Sequence, residues 1–211
     1  MESLEQRIQL VVREEVAIVP HDSRWATLFQ RERDHLRSCL PPELLGRIEH
    51  FGSTAVPGLS AKPIVDMLVE VTDLTATQVR IAPLLQAQGY DDFWRPTHGE
   101  DGPPFYAWFI KRDPATRART HHLHMVEPSF AEHWDRLVFR DYLIEHPNVA
   151  REYERLKVHL ASIARQDRLA YTQGKTEFIA RVTEQARRYY ATHGPERASR
   201  QESRQAERIG P

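Results

Sequence analysis

Apolar positions follow two regimes along this chain. Up to about residue 128, short apolar runs alternate with turns rich in Gly and Pro, whereas from Phe130 onward they recur at helical spacing. Trp25, Leu28, Phe29, Arg33, Leu36 and Leu40 predict an amphipathic helix over 24–39, capped by Asp22-Ser23 and stopped by Pro41-Pro42. Before it, Leu4, Ile8 and Val11 predict a peripheral helix over 3–13, and 16–19 a short strand. Strands are predicted at 47–51, 63–71, 90–94, 106–111 and 121–126. A helix at 75–88 carries an ill-placed Pro83 and ends at Gly89. Three helices follow, marked by Phe130, Trp134, Leu137 and Tyr142, then Val149, Tyr153, Leu156 and Ile163, then Phe178, Val182 and Ala186. Strands first and helices last predict an α+β fold, a mixed sheet flanked by helices, rather than a regular βαβ array. The expected organisation is an extension over 1–15 and one domain over 16–190, with its sheet part at about 16–128 and a helical part at 129–190. The apolar-poor segment 191–211 reads as a disordered tail.

Composition narrows the partners. With 29 basic against 30 acidic residues, no global field points to nucleic acid or an anionic membrane, so any anion specificity has to be local. The single cysteine, Cys39, excludes an internal disulfide, fits a reducing cytoplasm and reads as core filler. The charged first residues predict neither a signal peptide nor a membrane span.

The chemistry concentrates at 49–66. Gly52 and Gly58 permit backbone angles that turn successive N–H groups toward one anion, and Ser53 and Thr54 add hydroxyls. Just downstream, Asp66 interrupts an otherwise apolar strand. A carboxylate there has to be paired, hydrogen-bonded or metal-bound; satisfying the loop N–H groups is its purely structural role. Strand alternation places His122 and His124 on one face, able to ligate one ion, or simply to hydrogen-bond in a wet cleft. Lys62 and Arg119 flank these motifs and suit phosphate neutralisation, as do Arg112 and Arg117 with less reason. Arg140, Tyr153 and Lys157 fall on helices, where buried stems and exposed heads are the ordinary outcome, and Lys175 follows the turn at 171–174.

The segments 50–59 and 61–66, the His122-Leu123-His124 strand, 139–143, 153–157 and Lys175 together resemble the GrpB or UPF0157 family over about 16–190. That family is placed in the nucleotidyltransferase superfamily, with a polymerase-β-like fold, and related domains occur fused to dephospho-CoA kinases. The resemblance implies Gly52 and Ser53 at nucleotide phosphates, Asp66 at Mg²⁺ or Mn²⁺, and a helical portion closing the cleft. One departure matters: the superfamily's second acid, two residues after the first, is Leu68 here. Glu70 keeps the face but lies about 13 Å along an extended strand. His122, His124 or Glu49 would have to complete the site, with His50 also within the cleft-forming segment.

The leading expectation is therefore a cytoplasmic, metal-dependent nucleotidyltransferase moving a nucleoside monophosphate from an NTP to a small-molecule or protein hydroxyl. Lys62 or Arg119 would steady the pyrophosphate, and His122 or His124 would act as second ligand or general base. Two alternatives stand beside it: a non-catalytic nucleotide- or coenzyme-binding module, favoured by Leu68, and a metal-dependent phosphoester hydrolase built on the His-x-His strand.

Overall fold

The computed structural model describes residues 15–96 and 105–193. The predicted helix at 3–13, all of the loop 96–104 after its first residue and most of the predicted tail lie outside them.

Helix α1 (Arg24–Cys39) is followed by β1 (Leu45–Phe51), a 3-10 turn at Ser53–Ala55, and β2 (Val65–Val71). The predicted helix at 75–88 forms in three parts: α2 (Leu74–Ala76), a π-helical turn at Thr77–Ile81, and α3 (Ala82–Gln86). That division accommodates Pro83, which falls in the first turn of α3, where its missing N–H breaks no internal bond. Strands β3 (Asp91–Pro96), β4 (Phe105–Arg112) and β5 (Arg119–Val126) complete a five-stranded mixed sheet of order β1-β2-β5-β4-β3. Residues 16–19 contribute no full strand, only a bridge between Val19 and Ala61. Helices α4 (Ala131–Glu145), α5 (Pro147–Ile163), α6 (Arg168–Gln173) and α7 (Thr176–His193) form the C-terminal portion. The short α6 occupies the stretch that reads as a separator in the sequence, and α7 runs three residues past 190.

Alternation along each strand divides the sheet into two differently covered faces. Met67, Val69 and Val71 of β2, with Leu123 and Met125 of β5, pack on Trp25 and Leu36 of α1 and on Leu85 of α3. Cys39 is packed against the same core. One residue of the α1 stripe was not predicted to be inside: Glu32 is buried, accepting hydrogen bonds from the Tyr90 hydroxyl and the Lys111 ammonium, which ties the helix to the β3 side of the sheet. On the opposite face Phe51, Leu68, Tyr106 and Val126 meet Phe130 and Trp134 at the start of the helical portion.

The turn after β1 belongs to both parts of the fold. Val56 and Leu59 are buried among Phe139, Tyr142, Leu143 and Tyr153 of α4 and α5, and Val182 and Ala186 of α7. Tyr171 of α6 packs with Leu160 and Val16. The Gly-Ser turn is thereby pinned where the sheet's second face meets the helices. That seam holds the site.

Candidate functional site

Strand pairing explains why distant residues meet. β2 and β5 run parallel with Asp66 opposite His122 and Leu68 opposite His124, while antiparallel β1 sets Phe51 opposite Asp66. Asp66 and His122 therefore project from one face on adjacent strands, and Nδ1 of His122 lies 3.0 Å from Oδ1 of Asp66. Burial, only partly offset by the carboxylate, pushes the imidazole down to about 4. At neutral pH it is uncharged, donating from Nδ1 and leaving a buried Nε2 lone pair without a hydrogen-bond partner. Burial raises the Asp66 carboxyl, but the His122 hydrogen bond and the Lys62 and Lys175 charges outweigh it and hold the group below its ordinary value.

Gly52 has φ 74° and ψ −173°, a conformation that side chains strongly disfavour, and a Cβ there would sit 2.6 Å from Oδ2 of Asp66. The glycine thus lets the backbone close directly onto the carboxylate. Ser53 follows in the 3-10 turn and shares a hydrogen bond with the Tyr153 side chain, whose hydroxyl burial raises. Thr54 does not face the cleft as expected: it is buried, its hydroxyl donating to the Ile64 carbonyl and lying 3.0 Å from Nε2 of His50. It holds the loop closed instead of offering a donor.

Cations from several elements surround this carboxylate. Lys62 and Lys175 place their ammonium groups 5.0 and 4.5 Å from the centre of the same Tyr171 ring, one from each neighbouring segment. Burial lowers both, Lys62 well below the ordinary lysine value and Lys175 to about 8, and the Lys175 charge adds to the lowering of Lys62. The charges of Arg119 and Arg168 act on Lys62, and those of Arg168 and Arg136 on Lys175. Arg136 also sits 5.7 Å from the Phe51 ring centre. Lys157, buried beside Tyr153, donates to the Ser60 carbonyl, and burial brings it to about 7.

The remaining predicted positions are engaged elsewhere. His124 shares the His122 face, but its Nδ1 is 3.2 Å from Nε2 of His133, and it is stacked on Tyr106. Glu49 is ion-paired with Arg140, which also donates to the His50 carbonyl and to Asp141. Glu70 pairs with Arg47, whose guanidinium lies 3.7 Å from the Trp134 ring centre. His50 lies on the other face, stacked on Phe29, and burial takes it to about 4. Arg112 is ion-paired with Asp91 and Arg117 has φ 60° in a hairpin loop, so neither belongs to the cleft. Leu68, two residues beyond Asp66 on the same strand face, is wholly buried among Phe51, Tyr106, Phe130 and Trp134.

A divalent ion does not fit these donors as a resident group. One oxygen of the Asp66 carboxylate is already bonded to His122. The next rung is sealed by Leu68, and no group of three or more His, Cys, Asp or Glu among the described residues is able to hold a metal. Tyr171, Arg168 and Arg136 are the cleft residues that sequence reasoning missed. They lie far from the motif in the chain and carry no spacing signal; only the helical packing brings them near.

Against sequences and structures already known, the family model described as GrpB protein matches residues 15–185. The chain belongs to the GrpB family. It is 37% identical over 183 residues to the UPF0157 protein YqkA of Bacillus subtilis, a match covering 85% of this chain and 50% of that protein. The chain thus spans about half the length of that curated relative. The crystal structure of conserved protein GrpB from Enterococcus faecalis superposes with a TM-score of 0.70 at 30% identity, covering 82% of this chain and 99% of that one. The structure of Cid1 in complex with its short product ApU gives a TM-score of 0.46 at 17% identity, over 69% of this chain and 43% of that one. The GrpB structure bears out the mixed α+β architecture over the same part of the chain. Among the described residues no helix is long and apolar enough to cross a membrane.

Proposed function

We propose that the cleft binds the phosphate end of a nucleotide or nucleotide-derived coenzyme. The observation that carries this reading is charge: the ammonium groups of Lys62, from the loop, and Lys175, from the turn after α6, both flank the Tyr171 ring and both act on the Asp66 carboxylate. Without a counter-anion the ammonium groups repel one another in a partly dehydrated seam, and a phosphate chain relieves that repulsion. The Gly52-Ser53 turn supplies close backbone approach and a hydroxyl beside it.

The reaction that the GrpB resemblance suggests is transfer of a nucleoside monophosphate to a hydroxyl. In that chemistry the lysines and arginines would steady the departing phosphates, and Nε2 of His122, oriented by Asp66, is the basic lone pair nearest the carboxylate. The test is calorimetry with a panel of ATP, ADP, AMP and coenzyme A on wild type, Ser53→Ala and Lys175→Met. Binding by wild type that weakens in both variants is expected; failure of every compound to bind would remove the reading.

A second reading keeps metal-dependent transfer, with Mg²⁺ or Mn²⁺ arriving on the triphosphate. Its supporting observation is that Oδ2 of Asp66 makes no bond to His122. Asp66→Asn separates the two: it preserves the His122 hydrogen bond while removing the charge. Metal-dependent binding should then be lost, whereas binding through the cations alone should tighten.

A further inference from the structure

The donors around Asp66 lead to a more specific ligand, on the condition that the nucleotide-phosphate reading holds. Every other acidic or imidazole group that the second sheet face brings toward the cleft is committed: Glu49 to Arg140, Glu70 to Arg47, His124 to His133. Asp66 itself accepts from His122. The position where a second metal-binding acid would stand is occupied by Leu68, packed in an aromatic cluster with no exposed surface. Lys62 and Lys175, by contrast, converge on one aromatic neighbour, Tyr171, with their charges acting on Asp66.

We propose that this cleft takes the metal-free form of a polyphosphate chain, a nucleoside di- or triphosphate, with Lys62 and Lys175 occupying the electrostatic place of a divalent ion. A free triphosphate carries about four negative charges, and its magnesium complex about two. The loss halves its attraction to a cation cluster, and the bound ion is itself repelled by that cluster. Magnesium therefore competes for the ligand instead of recruiting it. The arrangement explains the absence of a second acid without treating the site as decayed: a further carboxylate would oppose the ligand's charge. It also gives the Tyr171 ring a function, since the ring offers a cation–π contact to both ammonium groups.

The test is calorimetry on the full chain with ATP, ADP and inorganic tripolyphosphate, first in EDTA and then in magnesium sufficient to complex the ligand. Binding of ATP and ADP in EDTA, weakened about tenfold or more by magnesium, is expected, as is a comparable loss in Lys175→Met that circular dichroism shows to be folded. Equal or tighter binding with magnesium would overturn the metal-free assignment and leave the nucleotide reading standing. No nucleotide binding in either buffer would overturn the nucleotide reading, and tripolyphosphate binding alone would then retain the phosphate-chain assignment. Silence from all three ligands would overturn both.

Discussion

Replacing Gly52 by alanine tests whether the close approach between the phosphate-loop candidate and Asp66 organises the site. Two costs are separable. The backbone, at φ 74° and ψ −173°, lies in a region that is nearly exclusive to glycine and costs another residue about 1–3 kcal/mol. The new methyl would also sit 2.6 Å from Oδ2 and 3.2 Å from Cγ of Asp66, so the carboxylate has to retreat. Retreat stretches the 3.0 Å contact to His122, and a hydrogen bond to a charged group is worth about 1.5–3 kcal/mol. The unfolded chain loses some freedom on gaining a side chain, returning about 0.4–1 kcal/mol. The net expectation is a destabilisation of about 2–4 kcal/mol. At about 2–4 °C per kcal/mol for a domain of this size, that is a fall in Tm of roughly 5–15 °C. Gly58→Ala is the internal control: its φ is 77°, but nothing lies within 4 Å of the added methyl, so it bears only the backbone cost. Urea unfolding of both variants, read as midpoint shifts at unchanged slope, isolates the Asp66 term. The same pair made in an Asp66→Ser background should lose most of the difference. If Gly52→Ala and Gly58→Ala agree within about 0.5 kcal/mol in the wild-type background, the contact argument is refuted.

Acid should destabilise the fold between about pH 6.5 and 4, because burial lowers His50 and His122 to about 4 and His133 to about 2. The unfolded chain then takes up protons that the folded chain refuses, so stability is complete above the unfolded pKa and falls with pH, at a slope near pH 5 approaching about 4 kcal/mol per unit; urea midpoints measured from pH 7 to 4.5 check it. Anion affinity should weaken as pH rises through about 8, where Lys175 loses its proton, a trend that calorimetry in matched buffers would reveal and Lys175→Arg would reduce to the part contributed by Lys62. Leu68→Asp, which puts a second acid on the Asp66 face, should cost about 3 kcal/mol or more, because a carboxylate would enter the Phe51, Tyr106 and Trp134 cluster, and it should confer no magnesium-dependent stabilisation. Glu32→Ala should cost about 1–3 kcal/mol, since it strands the buried Tyr90 hydroxyl while the partly exposed Lys111 ammonium turns to water; thermal unfolding measures it directly.

The sheet was legible because its strands carry strong local signals, and the site's axis because alternation fixes faces. His122 and His124 share a face, as predicted, and the parallel register brings the first of them to Asp66. What alternation does not encode is which neighbour claims each side chain. His124 goes to His133, Glu49 to Arg140 and Thr54 to the Ile64 carbonyl, through contacts set by helices packed late in the chain. Glu32 shows the same limit inside α1: spacing puts it on the apolar face between Leu28 and Leu36, where its charge argues against burial, but Tyr90 just before β3 and Lys111 of β4 supply the partners that keep it in. Pro83 was recognised as out of place, yet its solution, a widened turn before a new helix start, depends on backbone geometry and not on residue type. Tyr171 and Arg168 were invisible for a further reason: a short helix with a mixed pattern has no periodicity to read.

Leu68 and the two lysines over Tyr171 are best understood together. In a two-acid site the metal and the phosphates neutralise each other, so the protein contributes carboxylates and needs few cations. Removing one acid while leaving the metal in place would leave the phosphates under-neutralised. Filling that position with a buried leucine and supplying Lys62 and Lys175 from outside the sheet restores the charge balance by another route. Asp66 then has work that requires no metal: accepting from Nδ1–H of His122, it fixes the tautomer that leaves Nε2 as a lone pair. On this argument the carboxylate and imidazole form one unit, and the lysine pair another. A variant that removes the first should spare phosphate binding, while a variant that removes the second should abolish it.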